Sequence, residues 1–456
     1  MACNRLHFFF VYLSEGSKEQ KMWKHKEDMR MRKKYSAYLL TGCMLLGMTG
    51  CGGESVGAAS DLTKDYRETA SGNTGDITKN DELSADFKKA YGDFAVKLLR
   101  ESRNSTKEGN TFISPLSVMT ALEMTRAGAK GDTLDEMDGT LYEDMLPADA
   151  KIELMRFANR LPDTKDVSFH MANSIWLTDD EKLFTPDENY LKQAAADYNA
   201  YIFEADFKNT ACDDINRWVK KETDGMVKDI LDEVPEDAIM YLVNAMAFQG
   251  EWENTYDEMQ VDEAEFTDDD GNKSSVDMMY DEEYTYLEDE HATGFVKPYK
   301  DGYAFVALLP NEDISLEDYV EGLDGSAFLN LLENSEDTKV ETGLPKFTAQ
   351  TSLELKDVLT VMGMPLAFDE KNADFSGMGT CSDDSNIYIN RVLHKTYVDV
   401  NETGTKAAAS TVVEMVSEMA LEIEEPKEVI LNRPFLYAII EQDSGLPVFI
   451  GTVDSL

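Results

Sequence analysis

The hydrophobic positions of residues 81–456 follow both helical and strand periods. After Ser84, a residue type that caps helices, apolar residues recur at helical spacing and predict an amphipathic helix: Phe87, Tyr91, Phe94 and Leu98. A second helix, mainly apolar and therefore largely buried, is predicted after Pro115. No internal repeat or linker interrupts this stretch, which indicates one domain of mixed α and β structure. Its further predicted elements are a helix over 213–221 and strands over 241–248 and 303–309.

The N-terminal residues have the pattern of a targeting signal rather than of a folded core. Residues 1–28 do not fit such a signal and are interpreted as an upstream extension from a wrongly chosen start codon. Residues 29–50 have a basic start, an apolar stretch too short to span a bilayer, and small residues before Cys51. This is the layout of a secretory signal.

The same segment resembles a bacterial lipoprotein signal, in which Cys51 would become the lipidated first residue. An ordinary signal peptide followed by a coincidental cysteine is the alternative. Residues 51–80 are rich in Gly, Ser, Thr, Asp and Lys and predict a flexible tether, so the working domain is expected over 81–456. We therefore expect the protein outside the cell or at its surface, and in contact with a membrane only through a lipid anchor.

The net charge of the chain limits the classes of molecule that it can bind. Its 456 residues include 89 acidic and 43 basic side chains, for a formal net charge of -46. Nucleic acid would be repelled and is excluded as a partner. The acidic surface either keeps the protein soluble or attracts cationic partners over long range, and the sequence leaves both open. Three of the five cysteines lie in the first 51 residues, so Cys212 and Cys381 are expected to be free, buried thiols.

Five segments, in order along residues 81–456, resemble the serpin family of serine protease inhibitors. They are NTFISPLSVMTALEMTRAGAKGDT (110–133), LVNAMAFQGEWE (242–253), LPKF (344–347), VLHKTYVDVNETGTKAAAST (392–411) and NRPFLYAIIEQDSGLPVFIGTV (432–453). The resemblance implies an α+β serpin fold, a single domain of three β-sheets and about nine helices. It also implies an exposed reactive-centre loop.

The resemblance assigns roles to residues outside that loop. One set would form a hydrogen-bonded cluster that locks the large sheet and releases it on opening: Ser114, Ser117, Asn244 and His394. Lys346 and Glu402 would pair where the loop leaves its strand, close to Trp252. Without the family, that pair would be two charges among many.

The loop itself has a strand pattern. Taken as a strand, residues 404–416 place uncharged side chains on one face and both charges on the other, so the segment could insert into a sheet. Lys406 stands where the family usually has Glu, but it lies on the solvent face and should be tolerated. Helical spacing of Val412, Val416 and Met419 also fits an amphipathic helix, and periodicity does not decide between the two. The resemblance assigns the hinge to Glu402, Gly404, Thr405, Ala407, Ala408 and Ala409.

The implied activity is irreversible inhibition by a suicide substrate. A serine protease would attack the bait bond and form a covalent acyl complex, and insertion of the cut loop would then trap it. Such an inhibitor is not an enzyme, needs no catalytic residue, cofactor or metal, and is expected to be a monomer. A non-inhibitory serpin that acts as a carrier or surface-binding protein is the alternative. A hydrolase is disfavoured because no nucleophile motif or metal spacing is visible.

The bait bond is placed only approximately. Counting from the hinge gives Glu418-Met419, whereas counting back from the NRPF segment gives Ile423-Glu424. No Lys or Arg lies between Ala407 and Pro426, which excludes trypsin-like targets, since their pocket needs a cation. Small or apolar pockets of elastase-like, chymotrypsin-like or subtilisin-like enzymes are favoured, elastase-like ones above all, with bait candidates Val416, Glu418, Met419 and Ala420. Glu418 alone would suit an acid-specific protease.

Overall fold

The computed structural model describes residues 57–70, 82–106, 109–143, 145–234, 238–381, 386–405 and 427–456. These residues form ten α-helices, which we number along the chain. They are α1 (Lys64–Ala70), α2 (Ala85–Thr106), α3 (Pro115–Arg126), α4 (Gly131–Tyr142), α5 (Pro147–Arg160), α6 (Glu188–Tyr198), α7 (Ala211–Glu222), α8 (Leu316–Gly322), α9 (Gly325–Glu333) and α10 (Lys356–Met362).

The described residues also form strands that assemble into three sheets. A seven-stranded sheet has the order β1-β5-β3-β6-β15-β14-β12, a nine-stranded sheet contains β2, β7–β11 and β16–β18, and β4 pairs with β13. The strands are β1 (Ser60–Asp61), β2 (Thr111–Ile113), β3 (Val167–Thr178), β4 (Phe184–Pro186), β5 (Tyr201–Ala205), β6 (Met240–Glu251), β7 (Val261–Thr267), β8 (Lys273–Glu288), β9 (Ala292–Pro298), β10 (Tyr303–Pro310), β11 (Glu336–Pro345), β12 (Phe347–Glu354), β13 (Gly379–Cys381), β14 (Arg391–Asn401), β15 (Gly404–Thr405), β16 (Lys427–Ile430), β17 (Phe435–Glu441) and β18 (Pro447–Val453).

The predicted elements are present, and the expected α+β fold with three sheets is confirmed. Helix α2 begins where Ser84 caps it, since the Ser84 Oγ accepts from the Phe87 N–H at 3.2 Å. Helix α3 begins at Pro115 and is buried along nearly its whole length, as its apolar sequence requires. The described residues hold ten helices where about nine were expected. Residues 406–426, which hold most of the expected reactive-centre loop, lie outside the described residues.

The two central strands of the seven-stranded sheet determine where the site lies. Strand β14 pairs in parallel with β6 over seven residues, from Arg391 opposite Tyr241 to Tyr397 opposite Ala247. Beyond this seam the strands separate, and the two-residue strand β15 lies between them. It is antiparallel to both neighbours.

The expectation of a flexible tether over residues 51–80 is wrong for residues 57–70, which pack on the domain. Strand β1 extends the edge of the seven-stranded sheet, with Ser60 opposite Glu204. The buried hydroxyl of Thr63 donates to the carbonyl of Ala200 at 2.7 Å. Arg67 reaches the same carbonyl at 2.8 Å and lies over the ring of Tyr201. The folded unit therefore extends at least to residue 57, rather than beginning at 81.

Cys212 is a free thiol, as expected, and Cys381 is the other cysteine of the described residues. The expected burial is wrong, because both are only partly buried. Within the part of the chain that the structure describes, no helix is long and apolar enough to cross a bilayer.

Candidate functional site

The predicted cluster is present at the seam of the seven-stranded sheet. His394 on β14 and Asn244 on β6 are direct partners in the parallel pairing. The His394 Nδ1 bonds to the Asn244 Oδ1, and the Ser114 N–H donates to the His394 Nε2 at 3.1 Å. The Asn244 amide donates to the hydroxyl of Ser117. All four side chains are fully buried, so the cluster fastens both central strands to the start of α3.

This geometry fixes the protonation of His394. Because its Nε2 accepts from the backbone N–H of Ser114, the ring proton must lie on Nδ1, where it is donated to Asn244. A second proton on Nε2 would face a donor instead of an acceptor. Burial lowers the pKa of His394 from 6.5 to about 3, because desolvation disfavours the charged ring. The histidine is therefore a neutral, satisfied link between strands.

Asn173 on β3 is a member of the cluster that sequence reasoning missed. Its Oδ1 accepts from the Ser117 hydroxyl at 2.7 Å and from the Asn244 amide at 2.6 Å. Its own amide donates to the carbonyl of Ser117 at 3.2 Å. A signal existed in the sequence, since an Asn inside a strand is unfavourable unless a partner satisfies it. The cluster thus joins three neighbouring strands, β3, β6 and β14.

The residues at which the chain leaves β14 and enters the loop, Gly404 and Thr405, are already paired in the sheet. We call them the loop exit. Gly404 lies between Glu251 and Asn401, and Thr405 lies between Gly250 and Val400. Gly404 has a φ of 138°, and a Cβ there would come 2.0 Å from the carbonyl oxygen of Gly250, so only glycine fits. Both residues of β15 are buried. Gly404 and Thr405, which the resemblance assigns to the hinge, therefore form the buried strand β15.

An ion pair and an indole hold the turn before β15. The Nζ of Lys346 contacts the carboxylate of Glu402 and lies 3.2 Å from that of Asp277, which confirms the expected pair. These partners raise the pKa of Lys346, although its burial acts in the opposite direction. For Glu402, burial acts to raise the pKa, but the bond and charge of Lys346 together with a backbone hydrogen bond lower it. Trp252 is fully buried beside them and donates from Nε1 to the carbonyl of Asn401 at 2.9 Å.

The remaining candidate residues lie outside the described residues. They are the hinge residues Ala407, Ala408 and Ala409, the bait candidates Val416, Glu418, Met419 and Ala420, and the lipidation candidate Cys51. Among residues that the structure does describe, no group of three or more His, Cys, Asp or Glu side chains is placed to hold a metal ion.

Comparison with known proteins decides the family. The family model described as serpin (serine protease inhibitor) matches residues 89–456. The chain belongs to the serpin family.

Other serpins show how far the likeness extends. Leukocyte elastase inhibitor of Xenopus laevis is 30% identical over 376 residues, which is 79% of this chain and 97% of that protein. Alpha-1-antitrypsin 1-2 of Mus musculus is 28% identical over 410 residues, covering 86% of this chain and 94% of that one. The chain spans nearly the whole length of both relatives.

Among solved serpin structures, the thermophilic serpin Tengpin in its native state is 40% identical and has a TM-score of 0.79. The match covers 87% of this chain and all of Tengpin. Thyroxine-binding globulin in complex with thyroxine is 26% identical with a TM-score of 0.71, over 81% of this chain and 98% of the globulin. The names of these relatives thus include both an elastase inhibitor and a thyroxine-binding globulin.

Proposed function

We propose that this serpin is an irreversible suicide-substrate inhibitor of elastase-like, chymotrypsin-like or subtilisin-like serine proteases. The observation that carries the proposal is the position of β15, which lies between the two central strands and is antiparallel to both. The first residues of the loop thus occupy the place that the rest of the cut loop would extend. Cleavage would free the loop to continue along this path.

The register of the strand pairs supports insertion of the loop between β6 and β14. The seven pairs of the seam and the pairs made by β15 share one register. Continued residue by residue, the inserted loop would therefore meet residues that already face each other, with no slip on either side. The seam would be replaced from Ala408 between Ala247 and Tyr397 to Glu414 between Tyr241 and Arg391.

The side of the sheet on which the Thr405 side chain lies also supports insertion of the loop. Thr405 is fully buried, and side chains two residues apart share a face of a strand. Lys406 and Glu414 would then point to solvent. The core face would receive only small or apolar side chains: Ala407, Ala409, Thr411, Val413 and Met415.

Thr411 would arrive at the polar cluster. In the continued register it lies between Asn244 and His394, with its hydroxyl on the core side. Insertion breaks the bond between these two side chains and would leave buried polar groups unsatisfied, which is costly. A hydroxyl can donate and accept at once, so Thr411 can take over both bonds.

The choice of target rests on the bait sequence. No Lys or Arg lies between Ala407 and Pro426 for the cation-binding pocket of a trypsin-like protease. Val416, Met419 and Ala420 instead suit proteases with small or apolar pockets. The similarity to leukocyte elastase inhibitor supports the elastase class. The net charge of -46 would speed encounters with cationic proteases, and high salt should remove that enhancement.

The proposed location is the surface of a bacterial cell, where Cys51 carries a lipid anchor and the inhibitor acts as a monomer on extracellular proteases. Mass spectrometry of the mature N-terminus after expression with its signal tests this. A lipid-modified Cys51 is the expected result, and an unmodified N-terminus beyond residue 51 would contradict it.

The experiment that tests the inhibitory function mixes the protein with elastase and, separately, with trypsin, followed by denaturing electrophoresis. A covalent complex with elastase, and none with trypsin, is the expected result. Cleaved loop together with active elastase would defeat the proposal and favour a non-inhibitory binding protein. Mass spectrometry of the released C-terminal peptide locates the bait bond.

A further inference from the structure

A lysine is buried beneath the loop exit. Lys297 on β9 is 1% exposed, and its Nζ lies 2.6 Å from the carboxylate of Glu283 and 3.2 Å from that of Asp281. It lies 4.2 Å from the ring centroid of Tyr256 and 5.6 Å from that of Trp252. A lysine is rarely buried to this extent unless charged and aromatic partners compensate for its lost hydration.

The two aromatic residues over Lys297 belong to the segment that holds the loop exit. The N–H of Trp252 donates to the carbonyl of Thr403 at 3.1 Å, and its indole donates to Asn401. The N–H of Tyr256 donates to the carbonyl of Glu402 at 2.9 Å. Three consecutive carbonyls of the turn, 401–403, therefore accept from residues 252 and 256.

The contact continues to the first inserted residue. The ring of Trp252 stacks on that of Tyr299 at 4.2 Å between centroids, and the two residues form an isolated bridge. The Tyr299 hydroxyl lies 2.7 Å from the hydroxyl of Thr405. The buried cation thus supports, through two aromatic rings, both the turn and the start of β15.

Loss of the cation would disturb this support in a definite way. Glu283 and Asp281 would be left without the cation that both contact. The segment 252–256 would then move away from its position over residue 297. The turn 401–403, which bonds to this segment, would no longer be held in place. A turn that is not fixed does not define the register in which the loop enters the sheet.

We propose that Lys297 is a positioning residue for loop insertion, which fixes the turn 401–403 through Trp252 and Tyr256. The proposal rests on the proposed inhibitory function. After cleavage, insertion competes with hydrolysis of the acyl-enzyme, so slower or misaligned insertion turns inhibitor into substrate. The first encounter with the protease depends on the bait sequence and does not involve Lys297.

The test compares Lys297→Met with the unmodified protein against elastase. The stoichiometry of inhibition is expected to rise roughly fivefold, as loss of a desolvated cation over aromatic rings implies. The association rate constant should stay unchanged, which separates a positioning role from general damage. A double variant, Lys297→Met with Glu283→Gln, also removes the more buried of the two carboxylates that would lose their cation, so it should fold well and still show the raised stoichiometry.

The matched control is Arg126→Met, which also removes a cation from a fully buried carboxylate, that of Glu123. Its partners lie on α3 and α4 rather than at the loop exit. Unchanged stoichiometry in Lys297→Met, or an equal rise in Arg126→Met, would overturn the proposal.

Hydrogen exchange of the Trp252 and Tyr256 amides gives a readout that needs no protease. Both amides should exchange faster in the double variant, and protection equal to that of the unmodified protein would also overturn the proposal. Absence of a covalent complex with the unmodified protein would instead refute the proposed function.

Discussion

The hydroxyl of Thr405 lies 2.7 Å from the phenol oxygen of Tyr299, in the gap between β6 and β14. A position that is fully buried and faces the core has no room for a long charged side chain. Substitution of Thr405 therefore tests whether the loop enters the sheet.

Replacement of Thr405 by Arg should convert the inhibitor into a substrate. The guanidinium would have to be desolvated before the following residues could insert, so hydrolysis of the acyl-enzyme would win. Electrophoresis after reaction with elastase should show cleaved protein and no covalent complex. Thr405→Val, which fits an apolar core, is the control and should retain the complex. A complex formed equally by both variants would argue against insertion at this position.

Replacement of Gly404 by Ala should raise the stoichiometry of inhibition. The new Cβ would come 2.0 Å from the carbonyl oxygen of Gly250, so β15 would have to leave its place between the strands. Gly445→Ala is the matched control, because Gly445 also has a positive φ, of 72°, but its Cβ would meet nothing closer than 3.4 Å. Equal effects of the two variants would mean that backbone strain, and not the position of β15, matters.

His394 should make the protein less stable in mild acid. Its pKa is about 3 when folded and 6.5 as the ordinary value, so between these pH values the unfolded chain binds the extra proton. The contribution is fully present above pH 6.5 and is lost as the pH falls toward 3, by about 1.4 kcal/mol per pH unit.

The measurement is the free energy of unfolding in urea at several pH values, compared with His394→Gln. Glutamine can accept from Ser114 and donate to Asn244 without titrating. The difference between the two proteins should therefore shrink or reverse in acid. Parallel pH profiles would show that His394 does not titrate on unfolding.

The segment 57–70 should contribute to stability. Arg67 pairs with Asp61 at 2.5 Å, donates to the Ala200 carbonyl and lies over the Tyr201 ring. Arg67→Ala is expected to lower the free energy of unfolding by about 1 to 2 kcal/mol. Lys64→Ala, at an exposed position of the same helix, should change it little. Equal denaturation midpoints for all three proteins would mean that the segment does not stay docked.

The sequence predicts most of the core and part of the site. The helical spacing from Phe87 to Leu98 is a local signal, and the elements it predicts are present. The pairing of His394 with Asn244 is not local, since 150 residues separate them, and it became visible only through the resemblance. Periodicity alone would have made His394 an isolated polar residue in an apolar strand.

Two features left no usable pattern in the sequence. The segment 57–70 is mainly polar, and much of its docking comes from the backbone pairing of β1 and from bonds of Thr63 and Arg67 to the Ala200 carbonyl, which hydrophobic periodicity does not report. Lys297 stands alone in a short strand, and its burial depends on Glu283 and Asp281 on the neighbouring strand. Such compensation is a property of tertiary packing, so it appears only when the strands are paired.

The parallel pairing of β6 with β14 indicates that insertion of the loop would lower the free energy of the sheet. Parallel pairing is slightly less stable per residue than antiparallel pairing, and the seam is the parallel contact that an entering strand would replace by two antiparallel ladders. A filled sheet would thus have more main-chain hydrogen bonds of the stronger kind and no remaining gap. If the loop inserts as proposed, the uncut protein would stay active only for as long as a kinetic barrier holds it, and its working lifetime would be a rate rather than an equilibrium.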